Sequence, residues 1–133
     1  VAAEIACVSV DRKGATMPNQ SKSLDAPEET RPFENGRVDL VEIAGSKVGR
    51  ATFEPGWKWS SAVKPLVGTD SCQVAHVGYA LSGQLHVVMD DGTELDINAG
   101  DAYEIAPGHD AWVAGDQTFR AVEFESLAEY AKG

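Results

Sequence analysis

The sequence predicts a small all-β domain, an antiparallel sandwich or barrel, and three observations predict it. Turn residues recur about every 8 to 12 positions. The stretches between them alternate apolar and polar side chains and are rich in β-branched residues. The length, 133 residues, suits one hydrophobic core.

The strands follow in order. Arg37 to Ile43 alternates, Ala44-Gly45-Ser46 turns the chain, and Val48 to Phe53 returns it as a hairpin before Glu54-Pro55-Gly56 ends the strand. Val74 to Leu81 and Gln84 to Met89 flank Ser82-Gly83, and Asp91-Gly92 is the strongest two-residue hairpin turn in the chain. Glu94 to Ile97, Tyr103 to Ile105, Ala111 to Ala114 and Phe119 to Phe124 complete the series. The tail from Ser126 to Lys132 reads as a short C-terminal helix, with Ser126 as N-cap and Glu129 three residues on.

Residues 1 to 30 differ in character. Gly14 to Ser23 is polar and aperiodic, so this part is expected to be a loosely held arm. Its first 16 residues precede Met17 as an extension in which Ile5, Cys7 and Val8 could pack as an added strand. The organisation expected is an arm over 1–30, a β-barrel over 31–126 and a helical tail over 127–133.

Composition excludes several classes. Hydrophobic residues at 43% and charged residues at 24% argue for a packed globule and against disorder. No apolar run approaches the roughly 20 residues of a membrane-spanning helix. Val1 to Val10 lacks a basic leader and is interrupted by Glu4, so a cytoplasmic location is expected. A net charge of −10, with the 11 basic residues scattered singly, disfavours nucleic acid and anionic membranes as partners. The two cysteines, Cys7 and Cys72, form no CxxC pair; whether they bridge is open, and Cys72 reads as a buried inert thiol. No nucleophile elbow, P-loop or dinucleotide fingerprint is present.

Two turn motifs carry a family resemblance. Tyr79-Ala80-Leu81-Ser82-Gly83 resembles the end of the first cupin motif, and Gly100-Asp101 followed by Ala106-Pro107-Gly108 resembles the start of the second. The segment from Gly56 to about Phe124 therefore resembles a cupin domain. The resemblance implies a double-stranded β-helix, or jelly-roll barrel, that binds a small organic molecule. It also implies one divalent metal (Zn, Fe, Mn or Ni) and pairing into a homodimer, for which the row Val77, Tyr79 and Leu81 is the candidate face.

The family's ligand set does not carry over. Counting back from Gly83 puts its glutamate position on His76; counting forward from Gly56 puts its two histidine positions on Ala62 and Lys64. Counting back from His76 gives Asp70 and Cys72, or Thr69 and Ser71; an insertion, Pro65 to Asp70, separates the two counts. In the second motif the histidine position falls on Ala111, with His109 two residues earlier.

What remains is a pair of histidines. On one strand His76, Gly78 and Ala80 share a face, which leaves space beside an imidazole if that face is interior. His109 shares its parity with Ala111 and Val113, and is expected to face His76. His76 and His109 are thus the candidate catalytic and metal-ligating residues, and Trp57, Trp59, Gly78, Ala80 and Tyr103 the candidate pocket. The plain alternatives are a buried, satisfied imidazole for His76, a turn residue for His109, and core packing for each aromatic ring. Cys72 shares the parity of His76, but four residues along a straight strand is roughly 13 Å, too far to share an ion unless the strand bends. His86 is expected to face solvent, and Trp112 to point away from His109. The functional expectation is a small-molecule binder with a metal- or histidine-assisted reaction. The alternatives are a metal-free sensor or carrier, and a structural dimerisation module.

Overall fold

A computed structural model describes residues 19–132, and the first 18 residues and Gly133 lie outside it. The expectations for Cys7, Met17 and the added strand therefore fall outside the described residues.

Among the described residues nine strands form two antiparallel sheets. They are β1 (Glu29–Phe33), β2 (Gly36–Ile43), β3 (Ser46–Phe53), β4 (His76–Ser82), β5 (Gln84–Met89), β6 (Glu94–Asn98), β7 (Ala102–Ile105), β8 (His109–Val113) and β9 (Phe119–Phe124). One sheet has the order β1-β2-β3-β9-β4-β7, the other β6-β5-β8. The chain changes sheets between β4 and β5 at Gly83, whose φ of +75° and whose closeness to Thr118 O, 2.6 Å from where a Cβ would sit, leave glycine as the residue that fits. This is the jelly-roll arrangement.

Alternation along the strands separates inside from outside. In β4, His76, Gly78 and Ala80 are buried while Val77, Tyr79 and Leu81 are about half exposed, and in β8 His109, Ala111 and Val113 are buried. The outward row of β4 leaves the candidate pairing face open. Inside, Phe53 and Trp57 stack with ring centroids 3.8 Å apart, and Phe119 packs 6.1 Å from Phe53. Among the described residues no helix is long and apolar enough to cross a membrane.

After Trp57, Trp59–Ala62 and Lys64–Val67 form two one-turn helices, α1 and α2, and α2 ends at Gly68 in the left-handed conformation. The expected C-terminal helix is present as a short 3-10 helix over Ser126–Ala128, and Leu127 and Tyr130 are buried. Ser126 does not cap it; its hydroxyl instead donates to Glu123 Oε1 at 2.8 Å. Burial of two apolar side chains outweighs the weak propensity of a seven-residue helix.

Candidate functional site

The site assembles around an antiparallel bridge between Cys72 and His109. Cys72 N donates to His109 O at 2.7 Å, and Gly108 N donates to Cys72 O at 2.7 Å. Directly opposed residues send their side chains to the same side of a sheet, so the thiol and the imidazole of residues 37 positions apart become neighbours. Residues 73–75 are not strand, and the chain bends there before β4 begins at His76. The bend brings Cys72 Sγ to 3.7 Å from His76 Nε2. The straight-strand distance that separated Cys72 from the site is corrected accordingly.

One ligand atom each from Cys72, His76 and His109 lies within 4.8 Å of the other two, and all three residues are buried. The imidazole centroids are 5.3 Å apart. Each ring is oriented by its other nitrogen. His76 Nδ1 lies 2.6 Å from Glu123 Oε1, and His109 Nδ1 lies 2.8 Å from the carbonyl of Ala106. Carboxylate and carbonyl oxygens only accept, so each Nδ1 carries a proton and Nε2 is the ring nitrogen left to face the interior.

Glu123, on β9, is buried and accepts from three donors: His76, the Tyr103 hydroxyl at 2.6 Å and the Ser126 hydroxyl. Burial, Glu123 and this hydrogen bond push the Tyr103 hydroxyl far above its ordinary range, so it donates and stays neutral. For His76 burial works against the charge, yet hydrogen bonds with Cys72 and Glu123 raise it to about 9. Burial likewise pushes the Cys72 thiol up, and hydrogen bonds from His109 and His76 bring it down to about 6.

The cavity beside these groups is small. Its walls include Phe53, Trp57, Trp59, His76, His109 and Tyr130, and the space open to a water's centre is about 20 Å³, room for one water. Among the described residues Trp57 Nε1 is buried without a hydrogen-bond partner. Of the pocket expected from sequence, Gly78, Ala80 and Tyr103 are not among the walls. A Cβ at residue 78 would sit 2.7 Å from Glu123 Cγ and 2.8 Å from Tyr103 Oη, so Gly78 makes room for the Glu123–Tyr103 pair and not for a ligand. Ala80 is closed off in the core.

Sequence reasoning missed Glu123, Tyr130 and the reach of Cys72. Glu123 alternates with Ala121 and Phe119 on the buried face of β9, and a carboxylate on an apolar face is the signal that could have found it. His86 lies on the outer face as expected, between Asp96 and Glu94 at 2.6 and 2.7 Å, with Trp112 4.9 Å from it.

Two antiparallel sheets of this order around an interior histidine pair define a cupin fold. Comparison with solved structures gives the same class. An RmlC-like cupin from Shewanella frigidimarina aligns over 84% of this chain and 95% of its own, with a TM-score of 0.57 at 16% identity. Oxalate decarboxylase of Lactobacillus farciminis, solved as a formate complex, aligns over 86% of this chain and 35% of its own, with a TM-score of 0.59 at 17% identity. A protein of unknown function from Rhizobium leguminosarum aligns over 81% and 97%, with a TM-score of 0.57 at 15% identity. No family model and no curated protein sequence matches the chain.

The three interior donors could hold a metal ion. A tetrahedral site with one thiolate and one imidazole ligand at ordinary lengths has an S···N edge of about 3.5 Å. The Cys72–His76 separation of 3.7 Å is within a few tenths of that. Metal-bound histidines also donate their second nitrogen to a carboxylate or carbonyl, as both do here.

Proposed function

We propose that the protein is a small-molecule-binding cupin-fold protein whose site holds one divalent metal through Cys72, His76 and His109. The observation that carries this reading is the convergence of three buried donors, with both Nδ1 protons already committed elsewhere. A thiolate with two imidazoles is a borderline-to-soft set, which favours zinc or iron over manganese. Two of the three residues that would hold the metal, His76 and His109, line the one-water cavity. A metal so held would supply Lewis-acid polarisation of a bound oxygen. Glu123 holds the proton at His76 Nδ1, and Phe53, Trp57 and Phe119 give the cavity an apolar wall.

The test is metal analysis of protein purified without nickel affinity and then given zinc, iron or manganese. About one equivalent retained after desalting is expected; less than about a tenth with every metal overturns the reading.

A second reading, a metal-free ligand carrier, is favoured by the fact that Cys72, His76 and Glu123 already satisfy one another in a hydrogen-bonded chain. Covalent catalysis through that chain is disfavoured, because Cys72 is not among the cavity walls. The same proposal includes the homodimer on the outward row Val77, Tyr79 and Leu81, which is 46–51% exposed. Light scattering that shows a monomer at high concentration overturns it.

A further inference from the structure

The barrel interior is closed by the chain's own tail. After β9 the backbone turns at Glu125, a non-glycine residue with φ of +67°, and residues 126–132 pair with no strand among the described residues. Leu127 and Tyr130 wall the cavity. The Tyr130 ring stands edge-on to His76 at 5.4 Å and to Phe33 at 6.2 Å, and lies 6.5 Å from Phe53. A phenol ring thus occupies the aromatic lining of the barrel next to the histidine pair.

One side chain fastens the segment. Arg31, on the edge strand β1, donates to the carbonyls of Leu127 at 3.2 Å, Tyr130 at 2.7 Å and Ala128 at 2.7 Å, while its Nε pairs with Glu29. Gly49 provides the notch for Leu127; a Cβ there would lie 2.7 Å from Leu127 Cδ1. Ser126 donates to the same Glu123 oxygen that orients His76, so closure of the tail and orientation of the imidazole share one acceptor.

We propose that residues 126–132 are a lid latched by Arg31, and that the Tyr130 ring keeps the place of a small uncharged aromatic ligand of phenol size. With Leu127 and Tyr130 in place the cavity has room for about one water, so an organic ligand needs those two side chains displaced. The walls carry no lysine or arginine and one carboxylate, and apart from that carboxylate and the two histidines they are apolar or aromatic. Phe53, Trp57 and Phe119 offer flat apolar contact, and the unpartnered Trp57 Nε1 offers a donor to a hydroxyl oxygen. The proposal rests on the interior being the binding site but not on the metal, and metal analysis and lid opening are read separately.

The test uses the full chain in EDTA. Deuterium labelling of the backbone amides of Ala128 and Tyr130, which bond within the segment and are located by mass spectrometry, is followed against urea, and p-cresol binding is measured by calorimetry. In the wild type, labelling is expected to vary little with urea below the unfolding transition, the mark of local opening. Arg31→Gln is expected to speed it about tenfold and to strengthen p-cresol binding by about the same factor, because the competent fraction rises. Gly49→Ala, which crowds Leu127, should move both in the same direction. Labelling that follows the full urea slope of global unfolding overturns the lid. No p-cresol binding, or equal affinity in wild type and Arg31→Gln, overturns the role of the ring.

Discussion

Two histidine clusters on opposite faces of the barrel share one chemistry and differ in nearly everything else. His76 sits between Cys72 and Glu123 and is 5% exposed; His86 sits between Asp96 and Glu94 with its side chain 21% exposed and its partners more than half exposed. Both imidazoles contact a carboxylate at 2.6 Å. In the interior the three partners are fixed by packing and have no competing water, so each hydrogen bond commits a specific proton. On the surface water and salt screen the same contacts, and the cluster contributes little. Position relative to the sheet, not residue type, decides which of the two can hold a ligand.

Breaking the interior cluster should have the largest effect. Cys72→Ala or His76→Ala removes one of the three proposed ligands, and zinc affinity is expected to fall by more than about a hundredfold, read by competition with a chromophoric chelator. Zinc at about a hundredfold excess over its dissociation constant should raise the wild-type melting temperature by about 10 °C and leave both variants unmoved. An equal shift in all three proteins would place the metal elsewhere.

Glu123→Gln sharpens the comparison without deleting a ligand. The amide keeps one acceptor oxygen, for the His76 and Ser126 side or for the Tyr103 hydroxyl but not both, and loses the charge that holds the His76 Nδ1 proton. Zinc affinity is expected to drop about 10- to 100-fold, as for other groups that orient a ligand. Unchanged affinity alongside lowered stability would assign Glu123 to packing alone.

The smallest effect belongs to the surface. Hydrogen bonds to Asp96 and then Glu94 raise His86 above its ordinary value. A raised value in the folded state means that stabilisation is complete below the unfolded value near 6.5 and disappears as pH rises through the folded one. His86→Gln should therefore cost about 0.5 kcal/mol or less at pH 5.5, and nothing at pH well above the folded value. Urea melts at the two pH values check this; a larger loss that persists at high pH would contradict it.

Much of the strand plan was legible in the sequence because its signals are local. Asp91-Gly92 marked the β5–β6 turn, and parity on β4 and β8 put His76 and His109 inside together with Gly78, Ala80 and Ala111. Cys72 was set aside because distance was counted along the chain, whereas its bridge to His109 and the bend at 73–75 are cross-strand facts. Gly78 looked like open space because a sequence cannot show that the Glu123–Tyr103 pair from two neighbouring strands fills it. Tyr130 looked like part of a helix because its face is chosen by the barrel, not by its seven-residue segment.

The sequence by itself determined an antiparallel all-β domain, the inward faces of β4 and β8, and the histidine types available inside. Alternation and turn chemistry act over a few residues and leave a local trace. Only the tertiary structure decided that Cys72 and Glu123 join that pair and that the tail packs beside it, because contacts between residues 37 or more positions apart depend on strand pairing and on which apolar surfaces are buried together.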